Sequence, residues 1–288
     1  MAGVIFISII VTLLVVGSIW GTLNLDGFYF GMLGSGLVYL GLFGVWFAFW
    51  RLGKKRKMQD LAHYAVKRPR ISDTYLTIIL GFVCIATFLL LQNAVIEIFG
   101  LMGYSAPESN IILDGWHRFL IALIVVAVLP SVIEELLFRG LILHSLLPFG
   151  RWTAIILSSA MFSLFHLSPA QTVYQFIFGV VLALVYLRTR NMFVPMLLHF
   201  VNNATIITIL FFGGDWADGG YVNFGAMAIV STFVLALAGT FVILKLIDAF
   251  GNRNSGEVTR RKFDIPELLT LGLGLAIAIT IWVFNFLG

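Results

Sequence analysis

Nine apolar runs dominate the chain, at about 3–22, 28–50, 75–99, 115–147, 152–168, 171–188, 192–213, 221–247 and 266–287. A run of about 20 apolar residues matches the roughly 30 Å hydrocarbon core of a bilayer. Such a span satisfies its backbone polar groups only as an α-helix. A membrane β-barrel would instead show short alternating strands. Composition agrees with the runs. Only 11% of the 288 residues are charged, against about 25% in soluble domains. Hydrophobic residues make up 60%, and mean hydropathy is +1.01. A soluble globule of this size could not bury that much apolar surface, and disorder requires low hydrophobicity. The expected fold class is an all-α polytopic membrane protein with eight or nine transmembrane helices. The first run has no basic residue ahead of it and no small-residue cleavage site, so it reads as a span rather than a signal peptide.

The loops carry the charge. Arg51, Lys54, Lys55, Arg56, Lys57, Lys67, Arg68 and Arg70 follow the second run, which marks that loop as cytoplasmic. Counting spans onward puts Arg151, Arg188 and Arg190 on the same side, together with Lys245, Arg253, Arg260, Arg261 and Lys262. Sixteen of the 18 basic residues then share one face of the membrane, with the N-terminus inside. The short loops suggest a prokaryotic plasma membrane. This pattern sets topology and touches anionic lipid; it is not a nucleic-acid patch. The lone cysteine, Cys84, lies in an apolar run, which excludes an intrachain disulfide and a cysteine-ligated zinc site. The polar loops 51–74 and 248–264 divide the chain into an N-terminal pair (1–74), a middle block (75–247) and a C-terminal segment (248–288).

Two basic residues escape the pattern. Arg118, with Trp116 and His117, reads as an anchor at the outer boundary. Arg139 lies deep in a span beside Glu134 and Glu135, where ionisable groups are costly and usually functional. Glu135 and Arg139 are four residues apart and share a helix face, so they can pair. Glu134 points about 100° away and has no local cation. Burial disfavours the charged form of a carboxylate, which makes Glu134 a candidate general acid or base near neutral pH. Two further spans each bring a histidine: His166 follows Phe162 by four residues, and His199 precedes Asn203 by four. Hydrolysis needs a base for water, which Glu134 with a histidine could supply, and donors for an oxyanion, which His199 and Asn203 could supply. Alternatively Glu134, His166 and His199 could hold a divalent metal such as zinc, with an open position for water. The residues leave both routes open.

These three motifs, Glu-Glu-x-x-x-Arg, Phe-x-x-x-His and His-x-x-x-Asn, occur in that order on successive spans over about 115–213. The chain thereby resembles the CPBP family of intramembrane CAAX-processing and bacteriocin-processing endopeptidases, which includes the Ras-converting CAAX endopeptidase. The resemblance implies a four-helix catalytic core and hydrolysis of a peptide bond in a membrane-associated protein or peptide, with lipidated chains among the candidate substrates. It implies Glu134 as the water-activating base assisted by His166, His199 and Asn203 as the oxyanion pair, and Glu135 and Arg139 as support. Phe162 belongs to the motif and reads as packing. Both a metal-dependent and a metal-free glutamate mechanism are argued for the family.

Span five raises a geometric question. It is short, and His166 sits at its far end, whereas His199 lies two turns into its own span. The histidines can meet only if Ser168-Pro169 breaks the chain below the outer surface, so that spans five and six form a submerged hairpin around a wet cavity. Two competing functions use the same groups: an ion-coupled transporter, for which the chain lacks the expected inverted repeats, and a non-proteolytic membrane regulator or immunity-type protein. Asn202 reads as interhelical glue, and His144 as an interfacial residue outside the site.

Overall fold

The computed structural model describes residues 1–22, 27–55, 68–106, 112–213, 226–251 and 261–287. Much of the basic loop, including Arg56, Lys57 and Lys67, lies outside them, as do Arg253 and Arg260. Among the described residues the chain is helical, with no strand. In order, the helices are α1 (Ala2–Thr22), α2 (Phe28–Lys55), α3 (Ile71–Leu101), α4 (Trp116–Phe149), α5 (Arg151–Phe165), α6 (Thr172–Thr189), α7 (Phe193–Phe212), α8 (Ala226–Ala249) and α9 (Ile265–Leu287). Seven described helical segments are long and apolar enough to cross a membrane, among them α1, α2, α3, α4, α7 and α9. The chain is an all-α polytopic membrane protein.

The apolar runs become helices with ends moved by a few residues. The one consequential difference is at α5. The run to 168 predicts a longer helix, but the helix stops at Phe165. Its 15 residues span about 22 Å, less than the hydrocarbon core. Leu167 then takes a left-handed conformation (φ 51°), Pro169–Gln171 form one 3-10 turn, and α6 returns antiparallel to α5. A left-handed non-glycine residue carries strain of about 1–3 kcal/mol, and here the surroundings hold it. The Leu167 carbonyl accepts the Asn285 amide at 2.7 Å, and Trp282 Nε1 donates to Thr172 Oγ1 at 2.5 Å. Both donors come from α9. The short hairpin expected from the sequence is therefore present, capped by the last helix of the chain.

α4 departs from a plain α-helix. Leu123–Val128 and Leu136–Ile142 run in π-helical register on either side of the short α-helical stretch Leu129–Glu135. Pro130 lies inside this stretch. A proline there has no N–H and clashes with the preceding turn, and the wider register before it makes room. Around α4 pack α7, the α5–α6 hairpin, α1 and α2. α1 also crosses α9 so closely at Gly3 that a Cβ there would lie 2.4 Å from the Leu271 backbone nitrogen.

Candidate active site

Four helices, α4 to α7, and one outlying helix, α2, meet at Glu134 and Glu135. Both carboxylates are buried on the α-helical stretch between the two π segments, a kind of insertion frequent at functional sites. Arg139 Nη1 donates to Glu135 Oε1 at 2.7 Å. Its Nη2 donates to the Gly179 carbonyl of α6 at 3.1 Å. The pair expected from the four-residue spacing is thus formed, with a backbone acceptor that spacing could not reveal.

Glu135 has a second role. His199 Nδ1 lies 3.0 Å from the same Glu135 Oε1. A carboxylate that takes a proton donor from Arg139 can only accept, so His199 carries its proton on Nδ1. His199 Nε2 is then the free nitrogen, and it faces Glu134 Oε2 at 3.9 Å. That is too long for a direct hydrogen bond. Glu134 Oε2 is buried without a hydrogen-bond partner among the described residues.

His166 is fixed in the same tautomer by a different route. Because α5 ends at Phe165, the His166 backbone N–H turns to the Ser163 carbonyl, 3.2 Å away. The Phe162 carbonyl, one of the acceptors a helix end leaves open, takes the His166 Nδ1–H at 2.8 Å. The imidazole caps its own helix through Nδ1, and its Nε2 makes no hydrogen bond among the described residues. His166 is half-buried, whereas His199 is buried.

Phe162 joins the two histidines. Its ring packs edge-on to His166 (centroids 5.0 Å) and to His199 (5.8 Å). The Arg139 guanidinium lies over the same ring, 4.4 Å from its centre. The histidines therefore share one neighbourhood, as a single site requires. Phe162 thus packs between the site residues themselves.

Asn203, one turn from His199 on α7, is half-buried. Its Nδ2 donates to the Val126 carbonyl at 3.1 Å. Val126 is four residues before Pro130, so it is the carbonyl whose α-helical donor proline lacks. Asn203 Oδ1 accepts from Asn202 Nδ2 at 3.1 Å, and Asn202 Oδ1 accepts from the Tyr174 hydroxyl of α6 at 2.5 Å. Asn202 is glue between α6 and α7, as read from the sequence. His144 is more than interfacial: its Nδ1 bonds the Arg139 carbonyl at 2.9 Å and its Nε2 lies 3.2 Å from the Tyr186 hydroxyl. Arg118 pairs with Asp114 at 2.8 Å and lies over Phe28 and Tyr29.

The sequence reading missed Tyr39. From α2 it donates to Glu134 Oε1 at 3.0 Å. A tyrosine hydroxyl at membrane depth needs a partner, and that was the available signal. Nothing in the chain pattern named Glu134 as the acceptor, 95 residues away.

Residues 116–205 match the family model described as "Type II CAAX prenyl endopeptidase Rce1-like". This segment holds Glu134, Glu135, Arg139, Phe162, His166, His199 and Asn203, and the match implies a peptidase. It leaves Tyr39 outside. No curated protein and no solved structure matches the chain.

A zinc site would need three or four donors at about 2.0–2.2 Å from one point. Among the described residues, no three His, Cys, Asp or Glu side chains form such a group. Glu134 and His199 face each other, but His166 does not complete the set.

Proposed function

We propose that the protein is an intramembrane endopeptidase that hydrolyses a peptide bond near the C-terminus of a lipidated, membrane-associated CAAX-type substrate, using a glutamate-activated water without a metal. The observation that carries this reading is the opposed pair of Glu134 Oε2 and His199 Nε2, 3.9 Å apart, with Glu134 Oε2 buried and without a hydrogen-bond partner among the described residues. A water can sit at about 2.8 Å from both.

In the proposed reaction the water oxygen attacks the scissile carbonyl carbon while its proton passes to Glu134. The Glu135 carboxylate holds His199 in the Nδ1–H tautomer, as the aspartate does in a Ser-His-Asp triad. His199 Nε2 then accepts the hydrogen that stays on the attacking oxygen, and the second Nδ2 hydrogen of Asn203 faces the oxyanion. Collapse of the tetrahedral intermediate breaks the C–N bond, and Glu134 returns the proton to the leaving nitrogen. His166, on the more open side of Phe162, assists through its Nε2 and marks the wet end of the site. The basic loops place the N-terminus in the cytoplasm in this reading.

Cleavage of a fluorogenic farnesylated CAAX peptide by detergent-purified protein tests the proposal. Glu134→Ala, His166→Ala and His199→Ala should each lower turnover by about 10²-fold or more, the usual scale for a general acid–base group. Three variants with full activity would rule out proteolysis by this site. Bound metal measured on the same preparation, with and without a chelator, tests the metal-free step. Stoichiometric metal whose removal abolishes cleavage would overturn it.

A further inference from the structure

We propose that Tyr39 is a positioning residue for Glu134, supplied by a helix outside the catalytic core. The inference rests on the peptidase reading above and adds to it a residue that the matched segment does not contain.

Three observations support it. The Tyr39 hydroxyl donates to Glu134 Oε1 at 3.0 Å, and among the described hydrogen bonds this is the one Glu134 makes. The other oxygen, Oε2, is buried without such a partner and faces His199 Nε2 at 3.9 Å. A carboxylate on a helix can still turn about its terminal torsion, which is broad and roughly two-fold. Anchoring one oxygen selects which oxygen faces the histidine. Tyr39 therefore divides the two oxygens into one that is held and one that reacts. The helix that delivers it is suited to this. α2 packs on α1 and along α4, and its neighbouring residues Leu37 and Leu40 point outward. Val38 and Leu42 pack inward beside Tyr39.

A hydroxyl with a purely structural role would lower stability when removed. A positioning role predicts a split in kinetics as well. Tyr39→Phe keeps the ring and removes the donor. It should lower kcat for the farnesylated CAAX peptide about tenfold, the scale of one hydrogen bond to a charged group. KM should stay within about twofold, because the ring still packs and no substrate contact is lost. The thermal unfolding midpoint should also fall, because Glu134 Oε1 is left buried without its donor, so the split between kcat and KM is what separates positioning from a purely structural role. Leu40→Ala, on the outward face of α2, should leave both constants at wild-type values. A second readout needs no turnover. Dicyclohexylcarbodiimide, an apolar carboxyl reagent, should modify Glu134 faster in Tyr39→Phe, since Oε1 is no longer covered.

The outcomes separate the two claims. Wild-type turnover in Tyr39→Phe, with Glu134→Gln inactive, overturns the role of Tyr39 and leaves the peptidase reading standing. A wild-type chain that cleaves no CAAX peptide overturns the peptidase reading, and unchanged carbodiimide labelling overturns the positioning role independently. A tenfold loss confined to kcat supports both.

Discussion

At the scale of single residues, the site is a set of side chains each fixed by a neighbour. Glu135 is the centre of it, because one oxygen serves both Arg139 and His199. That double use makes a prediction. Glu135→Leu leaves Arg139 buried against Phe162 and the Gly179 carbonyl without its hydrogen-bonded carboxylate, at a cost of about 3–5 kcal/mol. Adding Arg139→Met removes that charge and should restore most of the thermal stability. Turnover should stay low in the double variant, because His199 Nδ1 has still lost its acceptor. Unfolding and cleavage measured together check this, and an active double variant would contradict it. The spacing of Glu135 and Arg139 made their pairing legible from the sequence. Likewise the paired histidine motifs pointed to one site. The Tyr39 contact was not legible, because no periodicity links α2 to α4 and tyrosine is unremarkable in an apolar run. Nor was the pairing of His199 rather than His166 with Glu134, since it depends on the depth at which α5 ends.

At the scale of elements, the apolar runs specified the helices to within a few residues, and the shortness of the fifth run pointed to the turn at Leu167 and Pro169–Gln171. What the pattern could not show is register within α4. A π segment rotates the later side chains by a fraction of a turn, and in a helix apolar nearly all round that phase shift leaves little trace in the pattern. Pro130 is the visible hint. It removes the N–H that would bond Val126, and Asn203 takes up that carbonyl at 3.1 Å. Pro130→Ala should therefore act on the site through the backbone. The new N–H at position 130 can reach Val126, displace the Asn203 amide and let α4 return toward α-helical register. Cleavage should fall severalfold while the unfolding temperature holds or rises, because interior proline costs a helix about 3 kcal/mol. Full activity in this variant would show that the Asn203–Val126 contact does not matter to the reaction.

At the scale of the whole molecule, the ends of the chain close around the middle. α9 crosses α1 at Gly3 and lies against the α5–α6 turn, so a helix beyond the matched segment holds the histidine that ends α5. His166 adjoins Leu167, whose carbonyl is bonded by Asn285 118 residues away. An unbonded carbonyl at that depth cannot turn to bulk water. Asn285→Leu removes the donor without touching any residue of the site. The turn must then either lose about 1–3 kcal/mol for the unsatisfied carbonyl or shift to find another partner, which moves His166. The expected result is a lower unfolding temperature and at least a tenfold loss of cleavage, with a smaller change for Trp282→Phe, whose indole bonds Thr172 on the far side of the turn. The two substitutions act on one turn, so their combined effect should be less than additive. If Asn285→Leu cleaves at the wild-type rate, the last helix only seals the bundle. If it does not, the catalytic geometry depends on chain segments that carry none of the signature residues.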